Sequence, residues 1–190
     1  MPTVVEIDGQ EYAMNSDFRA CMRSILAFED PELTNREKQM VMLNILYPEV
    51  PEDIKQAQKK AIEFLDAGKE SDENGDDEIG PRLFSFAQDA NYIFAAFKQT
   101  HNVDLESIEY LHWWKFQAFF MDLGSNTTFL NLVNLRRRVK NGTASREEKR
   151  VAREMGEIFD IQELDTRTAE EKEKEIEFMA LVGEGIAHGK

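Results

Sequence analysis

The residues with the widest chemical reach lie at positions 110–120, where the chain reads YLHWWKFQAFF. Both tryptophans, Trp113 and Trp114, stand side by side there, between Leu111 and His112 on one side and Lys115, Phe116 and Phe120 on the other. An imidazole near an ammonium could move a proton or ligate a metal. The other histidines, His101 and His188, are remote in sequence, so no metal is expected. What remains is recognition: indoles and phenyl rings offer a large apolar area, and each indole adds an N–H that needs a partner when buried. Two readings stand, a buried central helix and a surface that another molecule covers.

Other reactive groups are sparse. Cys21 is the single cysteine, which rules out an intrachain disulfide and a Cys-x-x-Cys pair. It falls on an apolar helical face with no activating base nearby, so a buried structural thiol is expected. The acidic run KESDENGDDEIG, residues 69–80, resembles a calcium loop in composition only. With Gly75 at the turn position, Asp77 falls where an apolar residue belongs and Pro81 where the bidentate Glu belongs. No phosphate loop, dinucleotide fingerprint, zinc-protease motif or nucleophile elbow occurs, so neither an enzyme nor a cofactor is expected.

Charge is uneven. Thirty-seven acidic against 23 basic side chains give a net charge of −14, a field that repels nucleic acid and anionic lipid. Yet Arg136, Arg137, Arg138, Lys140, Arg146, Lys149, Arg150 and Arg153 cluster, opposed by Glu147 and Glu148, and a Glu-rich stretch follows at 170–177. Such runs form solvated helix faces laced by i,i+4 pairs. Alternatively they meet between subunits, with Arg136, Arg137, Arg138, Lys140 and Arg150 as charged interface candidates. No run reaches the roughly 18 apolar residues of a membrane span, and no signal peptide opens the chain, so no membrane partner is expected.

These side chains need elements to hold them. TVVEIDGQEYAM, residues 3–14, alternates at period two around Asp8-Gly9, a dipeptide suited to a type I′ hairpin turn. The register puts Val5, Ile7 and Tyr12 on one face and Glu6 opposite Glu11 on the other. A lone hairpin is unstable, so its apolar face must lie on helices. The first helix is expected to cap on Asn15 or Ser16 and to turn Phe18, Cys21, Met22, Ile25 and Leu26 inward. A Thr34/Glu37 capping box starts the second, with Met40, Val41, Leu43 and Ile45 apolar and Pro48 as its stop. The third opens after Pro51, buries Ile54, Ala57, Ala61 and Leu65, and ends at Gly68.

Residues 81–100 read as a helix with Leu83, Ala87, Ala90, Phe94 and Phe97 inside. Residues 107–124 read as the aromatic helix. Because neighbours on a helix point roughly 100° apart, Leu111, Trp114, Ala118 and Met121 make one seam and Trp113, Phe116 and Phe120 a second. His112, Lys115 and Asp122 are left on a thin polar strip. A helix apolar around most of its circumference must be enclosed on most sides. Residues 126–142 form a further helix with Phe129, Leu132, Val133 and Leu135 inside. Capping boxes at Ser145/Glu148 and Thr168/Glu171 begin the last two.

Three stretches together, VEIDGQEYAMNSDFR, FAQDANYIFAAFKQTHNVDLESIEYLHWWKF and NTTFLNLVNLRRR, resemble a family of small proteins from long, non-contractile-tailed phages of Gram-positive bacteria. The resemblance spans roughly residues 4 to 160, and YLHWWKF is its most specific element. It implies a helical tail assembly chaperone, made in the host cytoplasm and absent from the mature virion. Such a protein binds the tape measure protein, keeps it soluble and helps recruit the tail tube protein. Leu111, His112, Trp113, Trp114, Lys115 and Phe116 carry over as motif positions, and Phe120 joins them from the aromatic pattern.

The expected fold is mainly α, a compact bundle of seven or eight helices with an N-terminal β-hairpin. Residues 1–160 are expected to form a single helical domain, and 161–190 a C-terminal helix serving as a partner or oligomerisation arm. The expected function is non-enzymatic tail assembly, with a homo-oligomer as the working form. A structural virion subunit of the tail or connector is the alternative. A nucleic-acid-binding regulator using Arg136 to Arg153 is the third, against the net charge.

Overall fold

A computed structural model of the chain describes residues 1–68 and 82–161. The acidic run at 69–80 and the expected helix after Thr168 lie outside the described residues. Strands β1 (Val4–Ile7) and β2 (Gln10–Ala13) pair antiparallel, with Val5 opposite Tyr12 and Glu6 opposite Glu11. Asp8 and Gly9 adopt φ angles of 52° and 76°, the two positive values a type I′ turn demands. Ile7 is buried, and Val5 and Tyr12 are half-buried beside it.

Seven α-helices follow among the described residues: α1 (Phe18–Glu29), α2 (Asn35–Leu46), α3 (Ile54–Leu65), α4 (Ala90–His101), α5 (Trp113–Met121), α6 (Thr128–Lys140) and α7 (Arg146–Met155). A 3₁₀ turn at Gly156–Ile158 closes the described chain. The protein is thus mainly α with an N-terminal hairpin. One continuous core runs from Ile7 through Phe18, Cys21, Leu43, Phe64 and Phe97 to Trp113, Phe116 and Phe129.

Both capping boxes that fall in the described chain form in full, Thr34 with Glu37 and Ser145 with Glu148. Other boundaries differ from the sequence expectation. Helix α1 is capped by Asp17, whose carboxylate accepts from Arg19 N at 2.9 Å, because Ser16 Oγ is paired with Tyr110 Oη at 2.8 Å. The inner face of α2 is Met42, Leu43 and Leu46, and Met40 is exposed. In α3 the buried residues are Ala57, Ala61 and Phe64, while Ile54 and Ile62 reach solvent. Residues 82–89 are not helical. Asp89 stands at the N-cap of α4, but its carboxylate makes no cap bond and accepts instead from Ser85 N at 3.0 Å, a local bond that competes with helix.

The aromatic helix is also shorter than expected. Residues 111 and 112 lie antiparallel to 16–18, with Phe18 N donating to Leu111 O at 2.9 Å and Trp113 N to Ser16 O at 2.8 Å. Leu111 is therefore buried in an extended segment and does not lead a helical seam.

Candidate functional site

His112 opens α5. Its Nδ1 accepts from Trp114 N at 3.1 Å, and its Nε2 meets Pro2 O at 2.8 Å. An accepting Nδ1 leaves the proton on Nε2, so the hydrogen-bond network assigns a neutral Nε2–H tautomer that donates to Pro2. At 6% exposed, His112 is a buried cap and not part of a polar strip. Both ring nitrogens are occupied, and among the described residues no group of three or more His, Cys, Asp or Glu could hold a metal ion.

The paired tryptophans finish a different helix. Trp113 Nε1 donates to Leu65 O and Trp114 Nε1 to Phe64 O, both at 2.8 Å, and Gln117 Nε2 adds a second bond to Leu65 O at 2.8 Å. The last four carbonyls of a helix lack intrahelical donors. Two consecutive carbonyls at the end of α3 thus meet two consecutive indoles at the start of α5, which accounts for the Trp-Trp dipeptide. Gly68 follows with φ 80°, a left-handed conformation that favours glycine, and a Cβ there would press on the Trp114 ring at 3.1 Å.

Phe116 stacks on Phe18, Phe97 and Trp113 at centroid distances of 5.1, 4.9 and 5.4 Å. Phe120 continues the array to Phe84, Phe86 and Phe129. Stacked rings of this kind add stabilisation beyond their buried area. Enclosure is nevertheless one-sided. Trp113 and Phe116 are buried, Trp114 and Phe120 are half-buried, Lys115 is exposed with Nζ 5.4 Å over the Phe119 ring, and Met121 is 84% exposed. The expectation that α5 is surrounded on most sides is corrected accordingly. The division falls inside the dipeptide: one indole belongs to the core, the other to its edge.

Along the open side runs a groove of about 610 Å³ between α1, α3 and α5, lined by Ile25, Phe28, Ile62, Leu65, Trp114, Gln117 and Met121 among others. A second, of about 500 Å³, is lined by Glu29, Arg82, Leu83, Phe84, Phe129 and Arg137 among others, and shares Phe86, Phe120 and Met121 with the first. Phe28 at 41% and Ile62 at 42% exposed are site residues that sequence reading missed. Their signal was an apolar residue off the inner face of its helix, which single surface residues also give.

The basic cluster does not form one patch. Arg136 is 1% exposed, and its guanidinium grips Asp89 through two bonds of 2.7 and 3.0 Å while donating to the Leu83, Ile158 and Phe159 carbonyls. It is an internal clamp, removed from any interface. Arg138 pairs with Glu148 at 2.8 Å, Arg150 with Glu147 and Glu154 on its own helix, and Lys140 with the Arg82 carbonyl. Arg137 is exposed at the second groove. Cys21 is fully buried, and burial pushes its thiol up to about 12. No helix among the described residues is long and apolar enough to cross a membrane.

Fold and site together define a helical protein with an N-terminal hairpin and an open aromatic track beside α5. Residues 1–161 match the family model described as Bacteriophage Gp15 protein. The chain belongs to that family and is a bacteriophage protein. No curated protein and no solved structure matches it.

Proposed function

We propose that this phage protein is a tail assembly chaperone. It binds the tape measure protein, keeps that chain soluble, supports recruitment of the tail tube protein, and acts by reversible association without catalysis. The observation that carries this reading is the open apolar face around Met121, Phe28 and Ile62. Methionine and aromatic side chains adapt to helical segments of differing sequence, and a net charge of −14 keeps a protein with exposed rings dispersed. Family membership supports a role in phage morphogenesis. Within the motif, Leu111, His112, Trp113 and Phe116 hold the frame, while Trp114, Lys115 and Phe120 border the open face. The site of action is the host cytoplasm, and the working form is a homo-oligomer.

Co-expression with the tape measure protein tests this. The expected result is a soluble complex that survives purification; tape measure aggregation that is unchanged by this protein contradicts it. Immunoblots of purified particles should be negative, and a stable band would favour a structural virion subunit.

A further inference from the structure

The two grooves beside α5 meet at Phe86, Phe120 and Met121, which line both, so they form one open track. Its walls are mainly apolar, with Glu29 and Arg82 in the second groove joined in an ion pair of 2.6 Å, and the remaining charges differ between the two grooves. Asp66, just past the end of α3, lines the first groove and not the second, and Arg137 on α6 lines the second and not the first. Both are exposed, and neither is in a salt bridge among the described residues.

We propose that this track takes one amphipathic α-helix from another polypeptide, held with its basic end at Asp66 and its acidic end at Arg137. A small molecule would call for convergent polar groups in a concave pocket, whereas Gln117, Asp66, the Glu29–Arg82 pair and Arg137 are spread over two joined grooves. A second copy related by a two-fold axis through the track would lay concavity on concavity and leave space between them. A helix is a convex rod about 10–12 Å across, and helix-in-groove recognition reads apolar anchors at i, i+3 or i+4, and i+7. Opposite charges at the two ends decide which way round the helix lies, because like charges brought together are costly. The inference deepens the chaperone reading and rests on it for the source of the helix, a segment of the tape measure protein.

The test uses the full-length protein and two synthetic peptides of about 18 residues, long enough to present four or five anchors. Both are stapled into helices on the polar face, with Leu anchors at that spacing. One carries Glu in its first turn and Lys in its last; the other has these exchanged. The apolar track accepts either peptide whichever way it runs, so charge preference is read with the peptide's fluorophore placed at the Lys end and its transfer measured to an acceptor on Ala67→Cys, an exposed groove position that leaves Asp66 and Arg137 intact; Cys21, being buried, stays unlabelled. The Lys end is expected near position 66 for both peptides. A random orientation overturns the polarity. Met121→Glu, at an exposed position where melting should be unchanged, is expected to weaken binding at least about 50-fold, as loss of a central anchor does. Binding unaffected by that change overturns the track.

Met121→Cys carrying a benzophenone identifies the occupant. Cross-links to the peptide support the proposal; cross-links confined to residues 162–190 of the same chain, or to a second copy, with peptide in excess overturn it. The two readings fail differently. Peptide binding as described, with the tape measure protein still aggregating on co-expression, removes the chaperone reading alone. A tape measure protein solubilised equally well by Met121→Glu removes the track alone.

Discussion

The side chains of Arg136 and Asp89 are each 2% exposed, and every N–H of the guanidinium points at an oxygen of the ion pair or of three backbone carbonyls. Breaking such a pair strands a buried charge, so Arg136→Met should cost on the order of 3–5 kcal/mol. Arg136→Met combined with Asp89→Leu should cost less than Arg136→Met alone, as urea unfolding would show; a double variant weaker than that single one contradicts the clamp. Gln117 offers a contrasting case, because its Oε1 is buried with no hydrogen-bond partner among the described residues. Leu65 O keeps its bond from Trp113 when Gln117 is replaced. Gln117→Leu is therefore expected to leave stability unchanged or raise it by up to about 1 kcal/mol, whereas Trp113→Phe should lower it by about 2–3 kcal/mol.

Helices α2 and α7 each begin with a reciprocal capping box, and Thr34→Ala or Ser145→Ala should lower the melting midpoint by about 2–4 °C. The Thr34 hydroxyl holds the Glu37 carboxyl below its usual 4.5, and Ser145 N with Arg138 does the same for Glu148. A depressed carboxylate contributes stability that is present above pH 4.5 and lost as pH falls through the folded value. Melting midpoints should therefore drop below about pH 4.5, and Glu37→Gln should flatten part of that drop; an unaltered acid limb contradicts it. These boxes were legible because Thr-x-x-Glu and Ser-x-x-Glu act over four residues, as does Asp8-Gly9 in the hairpin. The start of α5 and the irregular 82–89 segment were not. Their backbone is decided by partners far along the chain, Ser16 O for Trp113 N and Arg136 for Asp89. The same distance hid the role of the tryptophan pair, since the carbonyls it satisfies lie 48 and 50 residues away. Ring content alone marked 113–120 as important, but which rings are open to solvent depends on how α1 and α3 pack around them.

Across the whole molecule, the core keeps two weak acids neutral. Burial lifts Cys21 from 9.0 and Tyr47 from 10.0, each to about 12, and the Tyr47 hydroxyl donates to Ala57 O at 3.0 Å. A raised folded value means stability that is full below the unfolded value and declines as pH rises toward the folded one. Above the acid limb, melting should be level up to pH 9.0, the unfolded thiol value, and fall beyond it; no fall between pH 9.0 and about pH 11, roughly midway in that window, contradicts the burial of both groups. The same core leaves Met121 at 84% exposed while Met14 and Met42 are 5% and 1%, so the three methionines form an internal scale for what covers the track. Oxidation footprinting by mass spectrometry, on the free protein and on its complex with the tape measure protein, measures that coverage. Sulfoxide should form fast at Met121 in the free protein and slowly at Met14 and Met42 throughout, with strong protection of Met121 in the complex. Met121 oxidised equally fast in both states would contradict it.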